Sequence, residues 1–175
     1  MLQLKGIELK RFLKKIKKPN MELYLLLENI QYARNIASIF RTAEAFAVKK
    51  LFLTGISRTP PFGKELRKVS RSKEARVSWE YYENTGSVIT KLKKQNFKTI
   101  GLEIADEAKN IDKLRINGKI LLIVGNENYG ISRNTLEKVD ECVFIPIYGK
   151  GSSLSVGVAC GIAIYEIINK SFNEK

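Results

Sequence analysis

LYLLLENIQYARNIASIFRTAEAFAVKKLFLT, residues 23–54, carries the pattern that decides the fold. Residues 23–27 are an apolar run of strand length, and 51–54 are a second. Between them, over 35–48, Ile36, Ile39, Phe40, Ala43, Phe46 and Ala47 recur at helical spacing and make one broad stripe. Strands that are apolar throughout, separated by helices, indicate a parallel sheet covered on both faces. Outward from this unit, 97–102, 120–124 and 143–145 read as further strands, 82–95 as a helix and 154–168 as a closing helix. Gly55, Pro60, Pro61 and Gly63 make 55–76 a loop. The expectation is one α/β domain over residues 1–175, with its ligand in the loops beyond the carboxyl ends of the strands.

Upstream, LKGIELKRFLKKIKK (4–18) places Leu9, Phe12, Leu13 and Ile16 at helical spacing among six Lys and Arg, from Lys10 to Lys18. Residues 1–20 are expected to be a basic helical extension, closed by Pro19 and Asn20, that either caps the domain or touches RNA. The whole chain has 31 Lys and Arg against 18 Asp and Glu, a net charge of +13. Such an excess favours polyanions, because each cation that meets a phosphate releases a counterion; a merely Lys-rich composition is the plainer account. His is absent, which removes Ser-His-Asp and Cys-His catalysis and histidine metal sites. No metal is expected. Cys142 and Cys160, each among apolar neighbours, are expected to be buried free thiols. The early apolar residues are interrupted by Lys5, Glu8, Lys10 and Arg11, unlike a signal peptide. The longest apolar stretch, 154–168, is too short to span a bilayer, so a cytoplasmic protein is expected.

Three loops could carry chemistry. The first is ENIQYARNIASIFRTAEAF, 28–46: Asn29 and Asn35 sit at a sheet's carboxyl edge, Asn35 also being a credible helix N-cap, and Arg34, Ser38 and Arg41 share one helical face. Arg41 could equally pair with Glu44 or Glu28. The second is IVGNENYGIS, 123–132, where Gly125 and Gly130 bound a polar loop containing Glu127 and a helix begins near Ser132. It has neither the GxGxxG spacing of a dinucleotide site nor the GK[ST] ending of a P-loop. The third is IPIYGKGSSLSVGVACGIAIYEI, 145–167. Its loop leads into a helix with small pairs Gly157/Gly161 and Ala159/Ala163, which suit close packing, first of all in the core.

In this order the three segments resemble the motifs of SpoU/TrmH-type methyltransferases of the SPOUT superfamily. Asn29, Asn35 and Arg41, with RTAEAF continuing, are similar to the family's Asn-x5-Asn-x5-Arg pattern; Gly125, Glu127 and Gly130 to its Gly-x-Glu-x-x-Gly loop; Ile145, Pro146, Ser153, Leu154 and Val156 to its third motif. The likeness covers about 22–168, including the linker-like 55–82. Two positions depart from it: Ser155 stands where the family usually has Asn, and Ala47 where it usually has Gly.

The resemblance implies a Rossmann-like sheet with a deep C-terminal trefoil knot and a homodimer with the active site at the interface. It implies S-adenosyl-L-methionine (SAM) as cofactor, held by Leu102, Gly125, Ile145, Ser153 and Leu154. The implied reaction is methyl transfer to a ribose 2′-hydroxyl of tRNA or rRNA, with Arg41, Asn35, Glu127 and Ser153 as catalytic residues. A non-catalytic RNA-binding protein that keeps the fold is the competing expectation, motivated by Ser155 and the charge. Lys64, Arg67, Lys68, Arg71, Lys73 and Arg76, opposed by Glu65 and Glu74, form a basic run next to the Pro-rich loop. It is either a solvated face or a phosphate contact, so Asn29, Arg67, Lys68 and Arg71 are the candidates for holding RNA.

Overall fold

The computed structural model describes residues 1–173. The 23–54 unit folds as read: β1 (Leu23–Glu28), α2 (Ala33–Ala45) and β2 (Lys50–Thr54), with α1 (Gly6–Lys15) ahead of them. After these come α3 (Lys64–Ser70), β3 (Ser78–Tyr82), α4 (Thr85–Lys93), β4 (Phe97–Leu102) and β5 (Lys109–Asn110). The chain ends with β6 (Lys119–Val124), α5 (Arg133–Leu136), β7 (Glu141–Phe144) and α6 (Val156–Asn173). The strands form a seven-stranded sheet of order β3-β2-β1-β6-β4-β7-β5, and every named pairing is parallel. Leu25 lies between Leu51 and Leu122.

Alternation along the strands divides the core in two. Leu25, Leu27, Leu53 and Leu122 join Ile36, Phe40, Ala43 and Ile164 of α2 and α6 on one face. Leu26, Phe52, Leu121 and Ile123 join Val88, Ile89 and Leu92 of α4 on the other. On the first face α6 lies close to α2. A Cβ on Gly157 would stand 3.7 Å from the Ser38 hydroxyl, and one on Gly161 3.7 Å from the Thr42 methyl. Its small residues therefore serve packing within the chain. The stripe left outside is Val158, Ile162 and Tyr165.

Several expectations need correction. The 55–76 loop contains α3 and a turn of 3₁₀ helix, Lys73–Ala75. The helix expected over 82–95 begins only at Thr85, where the Asn84 side chain accepts from the Ser87 amide at 2.9 Å; Tyr82 ends β3, an edge strand with no fully buried residue. No residue of α1 is buried, so it is not a packed cap; its Phe12 and Leu13, and Ile16 just beyond it, are all exposed. Among the described residues no helix is long and apolar enough to cross a membrane.

Candidate active site

The loops after β4, β6 and β7, together with the start of α2, surround a cavity of about 740 Å³ at the carboxyl edge of the sheet. Leu102, Gly125, Ile145, Ser153 and Leu154, expected from the resemblance, all line it, and so do Asn35, Glu127 and Ser155. Two residues expected beside them do not. Asn29 faces a second cavity, next to Thr54 and Asn84, and its side-chain oxygen accepts from the Ile56 amide at 3.3 Å. Arg41 is on α2 but beyond the cavity wall. Six residues after Asn35 it lies about 9 Å further along the axis and roughly 240° around it.

Glu127 organises the first wall. Its carboxylate accepts from the Gln31 amide at 2.8 Å, the Tyr32 amide at 3.1 Å and the Asn35 side chain at 2.8 Å. Asn35 is therefore not the N-cap of α2. That position is Tyr32, and the Asn35 amide is spent on Glu127. Asn126 adds a second clamp by donating to the Asn29 carbonyl at 2.7 Å while its oxygen accepts from the Asn128 and Tyr129 amides. The loop then folds back on itself through paired bonds between Asn126 and Gly130. This return requires glycine at Gly125, since a Cβ there would meet the Gly130 and Ile131 backbone at 2.2 Å.

Two further carboxylates, neither expected from the sequence, anchor the same loop. Glu28, buried at the end of β1, accepts from the Ser132 amide at 3.1 Å, the Ser132 hydroxyl at 2.9 Å and the Thr135 hydroxyl at 2.7 Å. Glu103, after β4, accepts from the Ile131 amide at 2.9 Å. A carboxylate closing an otherwise apolar strand, as in LYLLLE, is the available signal, because a buried charge requires such partners.

The remaining candidates divide differently. Glu44 is occupied by Lys73 at 2.8 Å and Arg76 at 3.4 Å, and the Lys73 hydrogen bond in particular holds its carboxyl below the ordinary value. Arg41, exposed, therefore pairs with neither Glu44 nor Glu28. In the basic run Lys73 and Arg76 are tied down by Glu44, and Lys68 meets Glu65 at 2.8 Å; Arg67 on α3 and Arg71 directly after it stand exposed, and α3 packs against α2. Both thiols are free. Burial pushes Cys142 up and Cys160 up to about 12, so neither is a nucleophile near neutral pH. Ala47 has a φ of 55°, in the left-handed region that favours glycine.

Residues 22–165 match the SpoU rRNA Methylase family. The chain belongs to that family. It is 28% identical over 161 residues to the tRNA (guanosine(18)-2′-O)-methyltransferase of Aquifex aeolicus, covering 90% of this chain and 74% of that protein. To an uncharacterized tRNA/rRNA methyltransferase of Borreliella burgdorferi it is 32% identical over 161 residues, covering 91% and 69%. Among solved structures, the A. aeolicus TrmH/SpoU tRNA modifying enzyme superposes with a TM-score of 0.79 at 26% identity, over 94% of this chain and 83% of that one. Membership of this SpoU family agrees with the motif order and with the sheet.

Proposed function

We propose that this SpoU-family protein transfers a methyl group from SAM to a ribose 2′-hydroxyl of tRNA or rRNA. The observation that carries the reading is the single cavity into which the three motifs converge, Asn35 and Glu127 together with the five cofactor positions, Ser153 among them. The cavity fits the cofactor: its volume is that of a small-molecule site, with Leu102, Ile145 and Leu154 as an apolar bed and Glu103, Asn126 and Ser153 as polar partners. When bound, SAM supplies an electrophilic methyl on a sulfonium. The protein's task is alignment of the acceptor oxygen with it. Glu127 acts as a positioning residue, because three donors already occupy its carboxylate. Asn35 and Ser153 border the space where the ribose is held.

Arg41 completes the site from a partner subunit, as a phosphate anchor that also stabilises the forming alkoxide; a guanidinium keeps its proton and so makes a poor base. The homodimer this requires is supported by the outward apolar stripe Val158, Ile162 and Tyr165 on α6, beside the helix that bears Arg41. The trefoil knot is part of the same proposal. Its support is that α6 packs both on α2 and on the 111–113 turn between β4 and β6, with Lys170 donating to the Asp112 carbonyl at 2.7 Å. Arg67, Lys68 and Arg71 extend the RNA surface along α3, and the work is cytoplasmic.

The test is to incubate the protein with labelled SAM and RNA, digest the RNA to nucleosides and identify the labelled one. A 2′-O-methylnucleoside is expected; label on a base would refute the reading.

A further inference from the structure

Two aromatic side chains at the rim of the cavity have no part in the chemistry just described. Tyr129 is 88% exposed and Tyr32 52% exposed, and both line the cavity. Neither ring has a hydrogen bond or ring contact among the described residues, yet the backbone beneath each is fixed. The Tyr129 amide donates to the Asn126 side chain at 3.1 Å, within the Asn126–Gly130 bridge. The Tyr32 amide donates to Glu127 at 3.1 Å. The loops that carry them are joined by Asn128, which donates to the Gln31 side chain at 3.0 Å. Two phenol rings are thus mounted on one hydrogen-bonded frame, which also holds the Glu127–Asn35 pair.

A large ring held out in water on a fixed backbone gives the folded chain little in return. It does suit an unstacked base, because single-stranded RNA is recognised mainly by stacking on aromatic faces, whichever base is offered. A ribose lowered into the cavity brings its own base to the rim. We propose that Tyr129 and Tyr32 form a nucleobase-stacking subsite that receives the base of the nucleotide being methylated, an assignment that rests on the RNA reading above.

The experiment uses the full-length protein and the RNA found to be methylated, in two forms: intact, and with the target nucleotide made abasic. On intact RNA, Tyr129→Ala should lower kcat/KM roughly 5- to 150-fold, the range of one stacking contact, with a smaller loss for Tyr32→Ala. Tyr129→Phe should recover most of what Tyr129→Ala loses, since it keeps the π-face. Calorimetric SAM affinity should be the same in all three variants. On abasic RNA the wild type should fall by a similar factor, and Tyr129→Ala should add little to it, because the two changes remove one contact.

Undiminished kcat/KM in Tyr129→Ala overturns the proposal, as does a Phe variant as impaired as the Ala variant, or equal additive losses on abasic RNA. A parallel loss of SAM affinity would make Tyr129 a cofactor wall. Absence of any ribose methylation by the wild type would remove the activity and the subsite together, whereas an active wild type with an indifferent Tyr129 removes the subsite alone.

Discussion

The two walls of the cavity are built in opposite ways. The 125–132 wall is crossed by hydrogen bonds to Gln31, Tyr32, Asn35, Asn29, Glu28 and Glu103. Opposite it, residues 146–153 make no hydrogen bond among the described residues and are mostly exposed; the first bonds beyond them are those of Ser155, whose carbonyl accepts from Val158 and Ala159 as α6 begins. One wall is preorganised before any ligand arrives. The other has no hydrogen bond among the described residues to hold it, so a cofactor or a second subunit can order it. Preorganisation costs nothing at the moment of reaction, which places alignment on the first wall and ordering on binding at the second.

Substitutions can break or sharpen this contrast. The largest effect belongs to a residue on neither wall: Arg41→Ala should lower transfer about 100-fold or more, while SAM affinity and dimerisation, read by calorimetry and light scattering, stay unchanged. Near-normal activity would mean that Arg41 is wrongly placed in the site. Next comes Gly125→Ala on the rigid wall. The added Cβ meets backbone at 2.2 Å, so SAM affinity should fall at least about tenfold and the unliganded protein should lose ~1–3 kcal/mol of stability.

On the open wall, Ser153→Ala should weaken SAM binding yet leave the unliganded melting temperature within about a degree, since Ser153 is exposed and has no hydrogen bond to lose among the described residues. Limited trypsin digestion gives the same contrast without a mutation: SAM should slow cleavage after Lys150 several-fold and change nothing near 125–132. The smallest effect is expected away from both walls. Ala47→Gly relieves the left-handed residue at φ 55° and should stabilise the fold by at most ~1 kcal/mol in thermal unfolding, because the gain is partly offset by a freer unfolded chain.

Much of this was legible in the sequence where burial is continuous. Strands β1 and β6 are apolar through their middles, and every expected cofactor position does line the cavity. The strand β3 escaped because SWEYY lies at a sheet edge and alternates poorly, its stability coming from pairing with β2 and from contacts such as the Lys50–Glu80 ion pair. The helix α3 escaped because its charged surface is flanked by Gly63 and prolines. Asn35 was ambiguous for a different reason. An N-cap and a loop clamp demand the same side chain at the same place, and only the position of Glu127, 92 residues away, decides between them. Arg41 shows the opposite limit: motif spacing groups it with Asn35, but the helix turns it away from the cavity that Asn35 lines, and the partner subunit proposed to receive it leaves no mark in the pattern of one chain.

The central claim, ribose methylation of RNA, is tested most directly by mapping 2′-O-methylated positions in total tRNA and rRNA from cells with and without this gene, through their resistance to alkaline cleavage. At least one position should be protected only when the gene is present, and restored by the wild-type gene but not by Arg41→Ala. Identical maps, or a lost modification that lies on a base, would contradict the account.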